Sequence, residues 1–438
     1  MIQVAGGNPL YGEIQVQGSK NAVLPIMAAS LLYEGTTVIE NVPKIQDVYC
    51  MMGILRSLGC KVSMEGHTVL IDASALSQCE ICREDMEKMR SSILLAGPLL
   101  ARLGEAGVYY PGGCSIGKRP IDLHFSVFRA LGANVEEAES GKWQIGPGEN
   151  KNSGARICVK AADLLAAAVH LPYPSVGATE NGILTAVGAR GVTVLKGCAR
   201  EPEIVELVHF LRKMGVCIRG EGTSRIEVEG QKALTPVRYR VGADRIAAGT
   251  YLAAAMCAGG DVRLCGVSTR GMEPVLPVLR SLGAVITQEG DSLRLQMGRR
   301  PKGGVFRQDV PLKTAPFPGF PTDMQSLLLA VFAVADGENC MEETVFEGRF
   351  AAARQLLKFG AEILVEGNRV CVTGVPSLRG ASVHAPDLRG GAALVAAALA
   401  ADGCSQISGY EHIARGYEDI CGSLRLLGAD ICISHFST

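Results

Sequence analysis

The sequence has 438 residues, of which 47% are hydrophobic and 20% are charged. At roughly 100–200 residues per domain, this length predicts two or three domains with cores of their own. The 43 basic and 44 acidic side chains give a formal charge of −1, which excludes a global attraction for nucleic acid or for an anionic membrane surface. We therefore expect a soluble protein with no nucleic-acid or membrane partner.

The cysteines and the apolar runs bear on where the protein works. The N-terminal stretch lacks the cationic and apolar regions of a secretory signal, and the apolar runs are shorter than the roughly 18–20 residues that span a bilayer. The 15 cysteines are scattered, which is typical of buried thiols in a reducing cytoplasm rather than of a disulfide framework. Cys79 and Cys82 have CxxC spacing, but no second pair completes a zinc site. We expect a cytoplasmic monomer without metal or cofactor.

Six copies of one repeat follow one another along the chain. Each contains an aliphatic helix, a strand, and a second, amphipathic helix that a glycine ends before the next strand. The endings are on average about 73 residues apart, and their glycines are Gly59, Gly132, Gly215, Gly283, Gly360 and Gly428.

The first helix of each repeat is rich in alanine and leucine on every face, as in segments 24–32 and 246–256. A helix without a polar face is surrounded by other elements. We therefore predict an α/β fold of two inside-out α/β barrel lobes, each of three βαβαββ-like repeats with buried helices and outer sheets. A TIM barrel is excluded because its helices lie outside. The predicted lobes are residues 20–242 and residues 1–19 plus 243–438, with the N-terminal strand paired in the second lobe.

The second repeat departs most from the others, in the segment PGGCSIGKRPIDLH (111–124). Glycines flank Cys114 and two cations, Lys118 and Arg119. Adjacent cations lower the pKa of a thiol, and flexible loops with reactive groups are common at active sites. The spacing also resembles a P-loop, but Arg119 stands where the magnesium-binding Ser or Thr belongs, so we reject nucleotide hydrolysis.

Polar residues also precede or begin several buried helices. Lys20 and Asn21, in GSKNA (18–22), stand at the first helix, and a helix N-terminus with a lysine is a ready anion site. Asp323 stands just ahead of another buried helix, where it is either an N-cap or a functional carboxylate. Three arginines are expected to open helices in the same way: Arg90, Arg389 and Arg415.

These residue types indicate an anionic substrate held by lysine and arginine, with a thiol and a carboxylate available for proton transfer. The cations are Lys20, Arg119, Arg389 and Arg415, and the proton-transfer groups are Cys114 and Asp323. The residue types alone do not name the reaction.

Nine motifs in this order resemble the UDP-N-acetylglucosamine 1-carboxyvinyltransferases, a group of the enolpyruvyl transferase family. The resemblance covers essentially the whole chain and implies a fold of two inside-out lobes, in agreement with the repeats. It implies transfer of the enolpyruvyl group of phosphoenolpyruvate to the 3′-hydroxyl of UDP-N-acetylglucosamine, the first committed step of peptidoglycan synthesis. The motifs are GSKNA, MRSSI, PGGCSIGKRPIDLH, YPSVGAT (173–179), AREPEIV (199–205), FPTDMQ (320–325), ETVFEGRF (343–350), DLRGGA and HIARGYE.

The resemblance also implies roles for single residues. Lys20 and Asn21 match the phosphoenolpyruvate-binding pair, and Arg119, Arg389 and Arg415 match cations that hold its phosphate and carboxylate. Cys114 matches a general acid, which fosfomycin is expected to alkylate, and Asp323 matches the proposed base; Lys20 and Arg389 are counted with them as catalytic. Residues that match contacts to the UDP-sugar are Arg90, Arg119, Pro120, Ile121, Asp122, Leu123, Tyr173, Pro174, Ser175, Val176, Asp323 and Val345.

Two alternatives stay open. The first is the sister activity on shikimate 3-phosphate, 3-phosphoshikimate 1-carboxyvinyltransferase, although that family lacks the cysteine loop. The second is a catalytically silent paralogue that binds the UDP-sugar. It is suggested by Gln46, which stands where some members of the family have a lysine.

Overall fold

The computed structural model describes residues 1–112, 117, 120–137, 156–231, 233–298 and 300–434. The chain divides into two compact units. The first unit comprises the described parts of Gly18–Gly113 and Arg119–Gly242, and the second those of Met1–Gln17, Cys114–Lys118 and Ala243–Thr438. Cys114, Lys118 and Arg119 lie outside the described residues, so their predicted roles stay predictions.

Two strands of the second unit begin the chain, β1 (Ile2–Ala5) and β2 (Leu10–Gln15). The elements of the first unit follow. They are α1 (Lys20–Ala29), β3 (Thr36–Glu40), α2 (Gln46–Ser57), β4 (Lys61–Glu65), β5 (Thr68–Asp72), α3 (Arg83–Lys88), α4 (Ala96–Leu103), β6 (Glu105–Tyr109), α5 (Asp122–Ala130), β7 (Asn134–Glu137), β8 (Arg156–Lys160), β9 (Ala168–His170), α6 (Val176–Ala186), β10 (Val192–Lys196), α7 (Pro202–Lys213), β11 (Cys217–Arg219), β12 (Arg225–Glu229) and β13 (Arg238–Arg240), with 3-10 turns at Ser30–Leu32 and Arg90–Leu95.

The second unit then resumes with the same succession of helices and strands. Its elements are α8 (Arg245–Ala258), β14 (Gly260–Cys265), α9 (Leu276–Ser281), β15 (Val285–Glu289), β16 (Ser292–Met297), β17 (Leu312–Lys313), α10 (Gln325–Ala333), β18 (Glu338–Glu342), α11 (Ala351–Leu356), β19 (Glu362–Glu366), β20 (Arg369–Thr373), β21 (Leu378–Arg379), β22 (Ser382–His384), α12 (Leu388–Ala400), β23 (Ala401–Asp402), β24 (Cys404–Ser408), α13 (Tyr410–Ala414), α14 (Ile420–Leu426) and β25 (Asp430–Ile433), with 3-10 turns at Thr322–Met324 and Leu357–Phe359.

Each repeat forms one sheet with a common pairing pattern. The strand after the first helix has a parallel neighbour, and two antiparallel strands complete the sheet. In the sheets of β10, β18 and β24 this neighbour is the strand before the helix. For β3 it is β13, and for β14 it is β2, which come from distant parts of the chain. In the sheet of β6 the parallel neighbour is reduced to a single bridge between Glu80 and Gly107. The orders are β13–β3–β5–β4, β6–β8–β7 and β9–β10–β12–β11 in the first unit, and β2–β14–β16–β15, β17–β18–β20–β19 and β22–β24–β1–β25 in the second, which also has the pair β21–β23.

The N-terminal strand completes the sixth sheet. β1 lies between β24 and β25, antiparallel to both, with Ile2 opposite Ile407 and Ile433. In the sheets of the other five repeats, the strand at the position of β1 comes from the same repeat as its two neighbours. The pairing agrees with the one expected for this strand from the sequence.

The first helices of the repeats form the core of each unit. All nine residues of α10 are buried, and in α12 every residue but Ala400 is buried. Helices α8, α10 and α12 pack against one another in the second unit, and α4 packs against α6 in the first. The predicted fold class is confirmed: helices lie inside and sheets outside. Among the described residues the strands of each unit form separate sheets rather than one continuous barrel wall.

The glycines at the ends of the second helices have the conformation that the sequence predicts. All six have φ between 85° and 105°, a range that side chains with a Cβ rarely adopt. Each glycine therefore stops its helix and turns the chain into the next strand.

One disulfide contradicts the expectation that the cysteines are unpaired thiols. Cys340 and Cys371 lie directly opposite each other on β18 and β20, with Cα atoms 4.1 Å apart, and their sulfurs are bonded. The pair could not be predicted from the sequence separation of 31 residues. The two cysteines meet only because of the register between β18 and β20, which depends on tertiary packing. Glu338 lies near both sulfurs and completes the metal-ligand trio found among the described residues, but the disulfide already occupies its two thiols.

In the described ranges, no helix is both long enough and apolar enough to cross a lipid bilayer.

Candidate active site

Lys20 is the first residue of α1 and is held by a carboxylate. Ser19 caps the helix, its Oγ accepting from the backbone N–H of Ala22 at 3.3 Å. The Lys20 Nζ lies 2.7 Å from Oδ2 of Asp47, which is the second residue of α2, and the two side chains are only 11% and 6% exposed. Asn21 follows, half-buried. The ammonium group thus lies at the start of a buried helix, as the sequence predicts. Its partner, Asp47, was not indicated by the sequence.

Arg90 begins the 3-10 turn that leads into α4 and reaches the segment before α5. Its Nη2 donates to the carbonyl oxygen of Pro120 at 3.2 Å. Ile121 is buried there, Leu123 is half-buried, and Asp122, the first residue of α5, is exposed. The turn packs against α1, α4 and α6, so Arg90 lies beside several of the helices that carry predicted site residues.

Tyr173–Val176 lies at the start of α6 and close to His124. Ser175 caps this helix, accepting from the backbone N–H of Ala178 at 3.3 Å, while Tyr173 is 45% exposed. A Cβ added to Gly177 would lie 3.0 Å from Cε1 of His124. The starts of α5 and α6 are therefore in contact, which brings Pro120–Leu123 close to Tyr173–Val176.

His124 is a buried site residue that the sequence did not single out. The amide of Asn181 donates to the Ile93 carbonyl oxygen at 2.9 Å and lies 2.8 Å from His124 Nδ1, while its oxygen accepts from the Gly97 N–H. These contacts fix Nδ1 as an acceptor, so the ring proton is on Nε2. Burial, reinforced by the positive charge of Arg90, lowers the pKa of His124 to about 3. The imidazole is therefore neutral at pH 7.

Glu180, on α6, is a second buried group that the sequence did not single out. Burial raises its pKa well above the usual value, and the carboxylates of Glu203 and Glu201 act in the same direction. Removing a carboxyl group from water disfavours its charged form, and like charges add to that effect. Burial in the first unit therefore favours the neutral, protonated form of the Glu180 carboxyl group.

Asp323 lies in the second unit, in the 3-10 turn before α10, between two arginines. Its Oδ1 accepts from Arg349 Nη2, and its Oδ2 lies 3.5 Å from Arg389 Nη2. Both arginine side chains are almost completely buried, whereas the Asp323 side chain is 29% exposed. The alternative role as the N-cap of α10 is wrong, because the residue at that position is Met324.

Arg389 is the second residue of α12, as predicted for a cation at a helix start. Asp387 caps that helix, its Oδ1 accepting from the backbone N–H groups of Arg389 and Gly390 at 3.0 Å. Arg389 Nη1 donates to the Tyr417 hydroxyl at 3.1 Å. Burial acts to lower the pKa of Arg389, but Tyr417 and Asp323 outweigh it, and the net pKa is raised.

Val345 is tied to the turn that carries Asp323 through Glu343. The buried Glu343 carboxylate accepts from the backbone N–H groups of Val345 and Phe346 at 2.8 and 3.1 Å, and from the Thr322 hydroxyl at 2.9 Å. Thr322 directly precedes Asp323. The Val345 backbone is thus held in a fixed place relative to the Asp323 carboxylate.

Arg415 does not open a helix, which corrects the expectation from the sequence. It stands at the C-terminal end of α13, half-buried. Gly409, with φ of 77°, starts this short helix at Tyr410, and α14 begins separately with Asp419 as its cap. Helix α13 packs on α12, which carries Arg389.

The structure adds five residues to the candidate site beyond the ones predicted. Four of them lie within the motifs that carried the resemblance, so the sequence pointed to their neighbourhood but not to the residues themselves. Their burial in ion pairs or hydrogen bonds identifies them, and burial of a charged residue is not readable from one sequence. They are Asp47, His124, Glu343, Arg349 and Tyr417.

Solved structures define the class to which this fold belongs. The enolpyruvyl transferase NikO from Streptomyces tendae superposes with a TM-score of 0.84 over 98% of each chain, at 24% identity. An EPSP synthase from Acinetobacter baumannii gives a TM-score of 0.75 over 99% of each chain, at 19% identity. Residues 4–424 match the profile of the family described as EPSP synthase (3-phosphoshikimate 1-carboxyvinyltransferase). The fold is that of the enolpyruvyl transferases.

Relatives of higher identity narrow this class. UDP-N-acetylglucosamine 1-carboxyvinyltransferase 2 from Caldanaerobacter subterraneus subsp. tengcongensis is 42% identical over 430 residues, and the enzyme named UDP-N-acetylglucosamine 1-carboxyvinyltransferase from Cellvibrio japonicus is 43% identical over 430 residues. Each match covers 98% of both chains. A namesake from Finegoldia magna is 41% identical over 435 residues, again 98% of both. The chain belongs to the UDP-N-acetylglucosamine 1-carboxyvinyltransferase family.

Proposed function

We propose that this protein transfers the enolpyruvyl group of phosphoenolpyruvate to the 3′-hydroxyl of UDP-N-acetylglucosamine and releases phosphate. The observation that carries the proposal is the full-length match, at 41–43% identity, to relatives named for that activity. The sister activity on shikimate 3-phosphate has weaker support. It rests on the family profile and on a solved structure at 19% identity.

The reaction needs one acid and one base. The sugar hydroxyl adds to C2 of phosphoenolpyruvate while a proton is delivered to the methylene carbon. The tetrahedral intermediate then loses phosphate from C2 and a proton from the new methyl group, which restores the double bond. General acid–base catalysis of this kind contributes about 10²–10⁴-fold in rate.

Asp323 is the proposed base for the sugar hydroxyl. Its carboxylate is partly exposed, at 29%, while the two arginines that contact it are buried at 3% and 4%. The guanidinium groups fix both oxygens in place and balance their charge. A carboxylate held in this way needs little reorientation when a substrate binds.

The anions of both substrates are assigned to the cations. Lys20, Asn21, Arg389 and Arg415 are proposed to bind phosphoenolpyruvate together with Arg119, which lies outside the described residues. Arg90, Pro120–Leu123, Tyr173–Val176, Asp323 and Val345, again with Arg119, are proposed to contact the UDP-sugar. Charge-assisted hydrogen bonds to phosphate and carboxylate favour arginine and lysine in these places.

Cys114 is the proposed general acid and the proposed site of alkylation by fosfomycin. It lies outside the described residues, so the proposal rests on the motif PGGCSIGKRPIDLH. Glycines and two cations around the thiol favour a reactive thiolate. The thiolate would open the epoxide of the antibiotic and form a thioether.

In the cell, the same proposal places the protein in the cytoplasm, at the first committed step of peptidoglycan synthesis. Cell shape, the cell cycle and cell division would then depend on it. We further propose a monomer, which light scattering of the purified protein can check. No cofactor or metal is part of the proposed reaction.

A phosphate-release assay with each acceptor tests the proposal. We expect phosphate release from phosphoenolpyruvate with UDP-N-acetylglucosamine and none with shikimate 3-phosphate. The reverse pattern would establish the sister activity. Binding of the UDP-sugar without any phosphate release would establish the silent paralogue.

A further inference from the structure

Tyr417 links the buried face of Arg389 to the core of the second unit. The Tyr417 side chain is 1% exposed. Its hydroxyl oxygen lies 3.1 Å from Arg389 Nη1 and 2.7 Å from Thr250 Oγ1 on α8. The guanidinium carbon also lies 5.5 Å from the centre of the Tyr417 ring. The tyrosine therefore contacts the arginine through both its hydroxyl group and its ring.

Proton counting gives this chain of hydrogen bonds one direction. Thr250 donates its single hydroxyl proton to the Ile246 carbonyl oxygen at 2.9 Å, so its oxygen can only accept from Tyr417. Tyr417 in turn donates to Thr250, which leaves its lone pairs for the Arg389 N–H. The chain runs from Arg389 through Tyr417 and Thr250 to the backbone of α8, and every member has its partner.

The backbone around Tyr417 is fixed as well. Gln17 donates from Nε2 to the Gly416 carbonyl oxygen at 2.9 Å and accepts at Oε1 from the Glu418 N–H, also at 2.9 Å. One side-chain amide thus clamps the residues on either side of Tyr417. The tyrosine is held by packing, by its hydroxyl group and by its backbone neighbours.

We propose that Tyr417 is a positioning residue for Arg389 in the enolpyruvyl transfer reaction. It orients one edge of the guanidinium and so presets the cation for the anionic groups of phosphoenolpyruvate. A buried arginine without this acceptor would lose a charge-assisted hydrogen bond and part of its preorganisation. The inference rests on the proposed function, in which Arg389 binds phosphoenolpyruvate.

The substitution Tyr417→Phe tests the role, since it removes the hydroxyl and keeps the ring. We expect KM for phosphoenolpyruvate to rise about tenfold, because a hydrogen bond to a charged group contributes about 1.5 kcal/mol or more. KM for UDP-N-acetylglucosamine should change less than about twofold. In an Arg389→Lys background, Tyr417→Phe should add little, since the residue acts through the arginine.

Tyr251→Phe is the matched control. Tyr251 lies on α8, is also buried, and is hydrogen-bonded to Ser423 instead of Arg389. Both variants lose one buried hydroxyl, so both should shift the urea midpoint, but only Tyr417→Phe should alter KM for phosphoenolpyruvate. An unchanged KM for phosphoenolpyruvate, or an equal rise in both KM values, would overturn the proposal.

Thr250 provides a second test that does not depend on the folding of Tyr417→Phe. Thr250→Val removes the acceptor that directs the Tyr417 proton away from Arg389, and should raise KM for phosphoenolpyruvate severalfold. Thr250→Ser keeps that acceptor and should restore the wild-type value. A Thr250→Val variant with the wild-type KM for phosphoenolpyruvate would contradict a role for this chain of hydrogen bonds. Turnover by the wild-type protein, measured first, separates failure of this inference from failure of the proposed function.

Discussion

Lys20 and Asp47 form an ion pair in which both side chains are nearly buried. Nζ lies 2.7 Å from Oδ2, and the side chains are 11% and 6% exposed. Both residues stand in the first turns of their helices, α1 and α2. A buried pair contributes little net stability, but loss of one partner leaves an uncompensated charge. Asp47 therefore helps to fix the position of the Lys20 ammonium group.

Asp47→Asn should destabilise the protein and weaken phosphoenolpyruvate binding. Breaking a buried ion pair costs about 3 kcal/mol or more, so urea unfolding should show a loss of that order. KM for phosphoenolpyruvate should rise because Lys20 loses its orienting partner. The matched control is Asp163→Asn, whose ion pair with Arg190 is more than half exposed on both sides; its loss should be below about 1 kcal/mol. Equal losses in the two variants would contradict this assignment.

Asp323→Asn should abolish most of the turnover. The amide keeps the size of the side chain but cannot take a proton, and loss of a general base costs about 10²–10⁴-fold in kcat. Phosphate release at saturating concentrations of both substrates measures the effect. Asp336→Asn, in an exposed ion pair with Arg300 in the same unit, should keep wild-type kcat. If Asp323→Asn stayed within about threefold of the wild type, Asp323 would not be the base.

His124 should make the protein less stable at mildly acidic pH. Its pKa is about 3 in the folded protein against an ordinary value of 6.5. Between these values the unfolded state binds a proton that the folded state rejects, so stability falls as pH drops below about 6.5. At 1.36 kcal/mol per pH unit, the contribution reaches roughly 2 kcal/mol at pH 5.

Urea unfolding at pH 7 and pH 5 measures this contribution. The difference in unfolding free energy between the two pH values should shrink by about 2 kcal/mol in His124→Gln. The exposed His170 supplies the control His170→Gln, which should keep the wild-type difference. An unchanged difference in His124→Gln would mean that the imidazole is accessible to protons.

Cys114→Ser should abolish both turnover and alkylation by fosfomycin. The proposed acid and the proposed nucleophile are the same thiol, and a hydroxyl group is a far weaker nucleophile at neutral pH. Intact-mass measurement and peptide mapping of the treated protein check the adduct. Cys82→Ser, which removes an exposed cysteine outside the motif, should react as the wild type does. An adduct that persisted in Cys114→Ser would show that a different cysteine reacts.

The repeat period and the fold class could be predicted because each repeat carries its own local signals. The all-apolar first helices predicted burial, and Gly59 and its five counterparts predicted the helix ends. The partners of the site residues could not be predicted. Asp47 pairs with Lys20 across 27 residues of sequence, and Tyr417 meets Arg389 across 28. Such contacts depend on how the helices pack, which no local pattern encodes. The Cys340–Cys371 disulfide escaped prediction for the same reason, because it depends on strand register.

Identification of the reaction product tests the central claim most directly. Purified protein is incubated with phosphoenolpyruvate and UDP-N-acetylglucosamine, and the products are analysed by mass spectrometry and NMR. We predict inorganic phosphate and a UDP-sugar whose 3′-oxygen carries an enolpyruvyl group with its terminal methylene intact. An unmodified UDP-sugar, under conditions in which shikimate 3-phosphate is converted to its enolpyruvyl ether, would contradict the account.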